Sequence, residues 1–500
     1  MTKQLKKYIV TFHEGNVSTK QVQEILGLSK RNYKEGNSFL ASDEEIMDED
    51  VVNFEELGVA SVTLSESEVS KLEKNDRVMA VEEDIEMGIL EVENYIEDDI
   101  TVNINGGDIF FKEDFQESEG FENEFENYDY DIVQEPEIDN YYYPEEYNLD
   151  STDFQDGAEK TMNFVLKSLL NSNGASENIS GPTTPTLPKF PIKNPRLNPL
   201  KPIKPFPFFR YKYIPIPWNI HAVKATNAWR RGITGRGVKV AVLDTGITRH
   251  PDLYVRGGVS FIPGSTSYLD KHSHGTHCAG IIAGRNNNGV VGVAPGASLY
   301  AVKVLNDSGR GNMSWIIAGM NWCVTNRIDI ASMSLGGASA PIVAYAQAVQ
   351  RCQAAGVTIV IASGNSYGSS FPWVCSPANS ILRGSALASP IAVGATDFKN
   401  RIARFSSRGG KTSQWNQVDV VAPGVYINST VLRNGYCSKS GTSMACPHVA
   451  GAAALIKQRF RNLSPLQIKY KLQRSALDLG RRGYDNTYGS GIINCDKATL

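Results

Sequence analysis

Four short motifs in this 500-residue chain carry side chains able to do acid–base or nucleophilic chemistry. Asp244-Thr245-Gly246 follows directly on the apolar run Val240-Ala241-Val242-Leu243. An acid at the carboxyl end of a strand, beside a glycine that permits a tight turn, can orient a second group; the plainer reading is a turn or helix cap. Asp307-Ser308-Gly309 offers a second carboxylate, and two acids sharing one proton would make a dyad. His272-Ser273-His274-Gly275-Thr276-His277 concentrates three of the seven histidines. Zinc would suit such a cluster, but no Glu stands nearby and His-Glu-x-x-His is absent, so a general base at a helix start is the better reading. Around Gly441-Thr442-Ser443-Met444-Ala445-Cys446-Pro447-His448, the serine is expected just before a helix of small residues, with Pro447 tolerated in its first turn. The amide end of that helix would favour negative charge near the hydroxyl. Gly364-Asn365 follows another apolar run and offers a side-chain amide for a developing oxyanion.

Those motifs need a frame. Residues 238–243, 299–304, 328–333 and 357–361 read as continuous apolar strands, with helical stretches at 277–284, 313–325 and 341–355. Such alternation predicts an α/β fold, a mostly parallel sheet with helices on both faces and its chemistry at the carboxyl ends of the strands. It contradicts the all-β double barrel that an aspartic dyad requires. Residues 1–90 read as a separate small α+β unit, with strands at 8–12, 59–64 and 78–81 and helices at 19–28 and 67–74. Between the two lie an acidic segment with interleaved aromatics over 91–180, expected to be disordered alone, and a proline-rich linker over 181–217. A short helix is expected at 162–170.

Composition excludes several classes of function. Apolar residues make up 41% and charged residues 21%, a globular balance, and no apolar run is long enough to span a bilayer. The basic N-terminus is followed by too short an apolar stretch for a standard secretory signal, so a cytoplasmic location, or export by a non-standard route, is expected. The net charge of -4 hides an asymmetry: residues 1–90 carry about 19 acids and 10 bases, whereas residues 221–500 carry about 30 bases, 10 Asp and no Glu. Opposed charges of this size favour docking of one part on the other. The Lys and Arg residues are scattered, without a basic run or an aromatic platform, which argues against nucleic acid. Seven cysteines, an odd number at no zinc-finger spacing, are expected to be reduced.

In chain order the Asp, His, Asn and Ser motifs resemble a subtilisin-family serine endopeptidase, and the resemblance covers residues 217–500. It rests on the run from Val240 to Gly246, on His274-Gly275-Thr276-His277-Cys278-Ala279-Gly280, Gly292-Val293-Ala294-Pro295 and Ser334-Leu335-Gly336-Gly337, and on the 441–451 block. What it implies is a subtilisin-like three-layer αβα domain over 218–500. Ser443 would be the nucleophile, His274 its base, Asp244 the acid orienting that base, and Asn365 with the Ser443 N–H the oxyanion hole. His277 and His448 would be structural. Gly309, Gly311, Ser334, Leu335 and Gly336 would edge a cleft for an extended peptide; Gly336, Gly337, Ser363 and Gly364 would wall the P1 pocket, and Met313 the P4 pocket. Ser366 brings no charge to the first pocket, so an apolar P1 residue is expected. Cys278 resembles the thiol that some members carry beside the catalytic histidine, which implies sensitivity to mercurials. Asp252 matches a calcium-ligand position, with Asn287 as its partner in a loop one residue shorter than usual; calcium is thus a structural candidate, and catalysis needs no cofactor.

Residues 1–90 resemble the family's inhibitory, ferredoxin-like propeptide, through Tyr8-Ile9-Val10-Thr11-Phe12 and Val81-Glu82-Glu83-Asp84. Counting on from there puts Met87-Gly88-Ile89-Leu90 in the non-primed subsites and makes Leu90-Glu91 the first self-cleaved bond. The expected partners are peptide or protein substrates and the chain's own propeptide, with no membrane and no second copy. The competing reading is a catalytically silent peptidase fold held by its N-terminal domain.

Overall fold

The computed structural model describes residues 5–28, 31–36, 50–92, 101–105, 108–112, 216–382, 384–410 and 417–500. The helix expected at 162–170, most of the acidic segment and all but the last two residues of the linker lie outside them. Residues 99–209 form a unit of their own. In it Thr101–Asn105 pairs antiparallel with Asp108–Lys112, a hairpin that acidic composition did not announce. Its β-branched and aromatic residues (Val102, Ile104, Ile109, Phe110, Phe111) supply the strand propensity.

Seven parallel strands make the central sheet, in the order Val255–Ser260, Ser298–Lys303, Lys239–Asp244, Ile330–Met333, Thr358–Ala362, Ile391–Thr396, Val420–Pro423. The inner strands are largely apolar on both faces, and the period of two sends neighbouring residues into different cores. Val240 and Val242 pack with the helices His274–Ala283 and Thr442–Arg459, whereas Ala241 and Leu243 pack with Met313–Thr325 and Val343–Ala354. The result is three layers, α/β/α. Three strands escaped the sequence reading. Val255–Ser260 contains two glycines, and the other two are short runs whose strand character comes from sheet neighbours. The first strand of this sheet in chain order, Lys239–Asp244, lies inside it between later ones. The winding direction reverses there, and a crevice opens at its carboxyl end. Asp244 ends that strand.

The N-terminal region builds a five-stranded sheet in the order Tyr33–Glu35, Val51–Phe54, Val59–Ser65, Leu5–Phe12, Val78–Glu83. Capping boxes start its two helices: Ser18 with Gln21 for Thr19–Leu26, Ser65 with Glu68 for Glu66–Leu72. One sheet face closes a small core of its own, with Val10, Phe12, Val62 and Leu64 against Val22, Ile25 and Leu72. The other face, Ile9, Val52, Phe54 and Val59, joins the core built on Met313–Thr325 and Val343–Ala354. This sheet therefore lies across two helices of the larger region. The chain then runs on as the strand Glu86–Ile89, clamped antiparallel between Arg310–Asn312 and Leu335–Gly336.

Candidate active site

His274 is the first residue of its helix, preceded by Ser273 at φ 97°. Its Nδ1 stands 2.7 and 2.9 Å from the two Asp244 oxygens, and both side chains are fully buried. The approach depends on Gly275, where a Cβ would meet Gly246 O at 2.2 Å. Asp270 joins the turn to the helix. Its carboxylate accepts from Thr245 Oγ1 (2.9 Å), from the His272 and Ser273 amides (2.8 and 3.0 Å), and from Thr276 N and Oγ1 (3.0 and 2.6 Å). Sequence reasoning missed it; its only signal is an acid four residues ahead of His274. Burial opposes a charge on the His274 ring, but the Asp244 carboxylate, with Cys278 adding a smaller push, outweighs it and holds His274 well above the ordinary imidazole value.

Ser443 does not precede its helix but stands second in it, after the cap residue Gly441 (φ 152°) and Thr442. Nor is Pro447 in the first turn. It falls four residues after Ser443, so its missing N–H leaves the Ser443 carbonyl without the usual helical donor. Ser334 Oγ (2.9 Å) and Cys278 Sγ (3.5 Å) donate to that carbonyl instead. Cys278 Sγ is also 4.0 Å from His274 Nδ1, so one thiol abuts both chemical residues. Its burial pushes the thiol pKa up. The Ser443 hydroxyl donates to Ser334 O at 3.1 Å, and His274 Nε2, though buried, has no partner. The serine–histidine hydrogen bond implied by the motifs is thus not made in this arrangement.

What fills the cleft is the chain itself. Leu90 N–H donates to Ser443 Oγ at 3.1 Å, and Leu90 O accepts from Ser443 N–H at 3.2 Å. Asn365 Oδ1 is held by Thr442 N and Oγ1 (2.9 and 2.8 Å), while its Nδ2 is buried without a partner. A Cβ on Gly441 would lie 2.5 Å from Leu90 O and 3.2 Å from Asn365 Nδ2, so the bare α-carbon lets carbonyl and amide come together. Gly88 pairs with Arg310 and Gly336, Met87 with Gly311, and Ile89 with Leu335. Met87 is buried in one cluster with Met313 and Leu335, and its Sδ lies 2.8 Å from where a Gly337 Cβ would be. Leu90 Cδ1 lies 3.2 Å from the corresponding point on Gly336. Gly309 O accepts from Ile89 N–H. Ser363 and Gly364 touch other partners: Ser363 O accepts from Cys375 N–H, and Gly364 N–H donates to Thr442 Oγ1.

Two acids of the N-terminal region cap the helices beneath it. Glu82 accepts from the Val343 and Ala344 amides at 2.8 Å each, and Asp84 from Ser314 N and Oγ at 2.9 and 2.7 Å. Burial raises both carboxyls despite these bonds.

The rival readings do not assemble. Asp307 pairs with Lys303 at 3.0 Å, whose ammonium holds its pKa below the usual carboxylate value, so it shares no proton with Asp244. His277 Nε2 faces Cys437 O and His448 Nδ1 faces Met444 O; burial lowers them to about 3 and about 4, which keeps both neutral. All seven cysteines are free thiols.

A buried acid–imidazole pair beside a serine, at the switch point of a parallel sheet, with an orphaned amide next to the serine's N–H, defines a serine hydrolase whose cleft takes an extended peptide. Residues 235–491 match the subtilase family, and the chain belongs to it. It is 49% identical over 285 residues to subtilisin BL of Lederbergia lenta, 57% of this chain and 98% of that protein. An alkaline protease of Alkalihalobacillus alcalophilus is likewise 49% identical, over 70% of its length. Subtilisin amylosacchariticus of Bacillus subtilis subsp. amylosacchariticus is 45% identical over 288 residues, 71% of its length. The chain is a subtilisin-like serine endopeptidase that acts on peptides or proteins.

Subtilisins bind calcium structurally, but the residues at Asp252 do not fit an ion. Its carboxylate accepts from four donors: Asn288, Gly289 and Val290 N–H at 2.7, 3.0 and 2.9 Å, and Tyr436 Oη–H at 2.8 Å. Four donors use up the acceptor capacity of two carboxylate oxygens. Asn287 turns away, its Nδ2 donating to Pro251 O at 2.8 Å. The shortened loop folds its amides onto the acid that a cation would otherwise neutralise.

Proposed function

We propose that the chain is a self-processing zymogen in which residues 1–90 inhibit the peptidase domain and the first cut falls between Leu90 and Glu91. Ser443 is the nucleophile, His274 the general base and then acid, and Asp244 holds the ring with Nε2 free to take the proton. Turning the serine hydroxyl from Ser334 O to His274 Nε2 starts the reaction. Ser443 Oγ then attacks the Leu90 carbonyl, and the oxyanion is met by the Ser443 N–H and Asn365 Nδ2. Protonated His274 delivers its proton to the Glu91 amine, which leaves; water, activated by the same ring, hydrolyses the acyl-enzyme. Apolar P1 and P4 residues are preferred, in keeping with Leu90 and Met87. The acidic segment acts as a tether until a second cut in the linker, and the enzyme works as a monomer.

The observation that carries this reading is the pair of hydrogen bonds bracketing Leu90, its amide on Ser443 Oγ and its carbonyl on Ser443 N–H. Intact-mass analysis of the purified full-length chain is expected to reveal a species beginning at Glu91, at least transiently, and its complete loss in Ser443→Ala. The silent-fold alternative draws on the hydroxyl's turn toward Ser334. Labelling of Ser443 by a fluorophosphonate eliminates it, whereas an unlabelled and uncut wild-type chain would establish it.

A further inference from the structure

Past the Leu90 carbonyl the chain stays in the cleft for two more residues. Val92 N–H donates to Ser440 O at 2.9 Å, so extended pairing continues on the leaving-group side. Glu91, between them, places both carboxylate oxygens on Lys439 Nζ, at 2.8 and 2.9 Å. Only 12% of either side chain is exposed. A second ion pair of the clamped segment, Arg310 with Glu86, is 66% and 51% exposed, and solvent screens it. The contact nearest the reacting bond is therefore the desolvated one, where a charge-assisted hydrogen bond counts most.

Lys439 is positioned by strand pairing. It ends the strand Tyr436–Lys439, whose pairing with Ile427–Thr430 sets Lys439 opposite Ile427. Four residues on stands Ser443. Among the described residues no acid of the peptidase region pairs with this lysine, and residues 221–500 contain no glutamate at all. With Glu91 and Val92 in place the ammonium is enclosed, and its counter-charge comes from the peptide that lies in the cleft.

We propose that Lys439 is a specificity-determining residue that selects an acidic side chain, glutamate above all, immediately after the scissile bond. The inference rests on Leu90-Glu91 being the bond presented to Ser443. Together with the apolar pockets for Met87 and Leu90, it defines a two-sided preference, apolar before the cut and acidic after it. The general positive charge of the peptidase attracts acids anywhere in a peptide; Lys439 discriminates by position.

The test uses full-length protein left to mature, assayed on internally quenched peptides that share Met-Gly-Ile-Leu before the cut. The next residue is Glu, Gln or Lys, and a fourth peptide carries Gln there with Glu one place further on. The Glu peptide is expected to exceed the Gln peptide about tenfold in kcat/KM, as one partly buried charged hydrogen-bond pair would produce. The Lys peptide should be slowest, and the displaced Glu should recover little of the gain. In Lys439→Met the Glu-to-Gln ratio collapses toward one, and in Lys439→Glu the order of Glu and Lys reverses. Glu and Gln peptides cut within twofold of each other by the wild type, or a ratio unmoved in Lys439→Glu, would overturn the proposal while leaving the peptidase reading intact. Failure to cut any of the peptides after Leu would remove both.

Discussion

His274 Nε2 and Asn365 Nδ2 are buried polar atoms without hydrogen-bond partners, and orphaning a buried group costs on the order of 1–3 kcal/mol. Under the proposed mechanism they are tolerable because the reaction supplies what each needs, a proton for one and an oxyanion for the other. As the proposed base His274 must be neutral, and Asp244 raises its pKa well above 6.5, so the acid limb of the rate profile is expected to move to higher pH. We expect kcat/KM to rise through an inflection above pH 6.5. Asp244→Asn should cut kcat by about 10⁴-fold and shift the inflection down; an unshifted inflection would detach the acid from the ring. Asp244, His274 and Ser443 stood out in the sequence because each sits in a short motif at an element boundary. Asp270 and Lys439 sit in no such motif. The bond that ties Asp270 to Thr245 spans 25 residues, and the pair Lys439–Glu91 spans 348.

Element ends explain how a serine becomes available. The strand–helix alternation was legible because apolar runs and their spacing are local, and it led to the carboxyl ends of the right strands. The start of the serine helix was misjudged by two residues, with a chemical consequence. Pro447 acts one turn deeper than expected, freeing a carbonyl that ties Ser334 and Cys278 to Ser443. Beyond the far end of the His274 helix the loop 285–290 replaces a cation with its own amides. Thermal unfolding of the Ser443→Ala chain, which cannot digest itself, is expected to have the same midpoint in EDTA as in calcium. Tyr436→Phe, by removing one donor to a buried carboxylate, should cost about 1–3 kcal/mol. A midpoint that falls on chelation would mean that Asp252 exchanges its amides for an ion.

Across the molecule, charge brings the two regions together and hydrogen bonding seats them. The acidic N-terminal region and basic peptidase attract at long range, an effect that salt weakens. Once docked, Glu82 and Asp84 neutralise the amide ends of Val343–Ala354 and Met313–Thr325. Their pKa values are raised by burial, so the docked acids hold protons more readily than free ones, and docking takes up protons. Raising pH from the ordinary carboxylate range through the raised values therefore weakens docking, and above them the dependence flattens. In the full-length Ser443→Ala chain, hydrogen-exchange protection of residues 86–89, corrected for intrinsic rates, should fall across that interval. Glu82→Ala should lower it about 10- to 100-fold by losing two charge-assisted bonds; unchanged protection would leave the cap without a seating role. Fold class and the peptidase motifs could both be read along the chain, since they depend on periodicity and on residues close in sequence. The direction of the Ser443 hydroxyl, the four donors on Asp252 and the pairing of Glu91 with Lys439 could not. Each depends on which distant segments exclude water from the same small volume, and only the packed chain decides that.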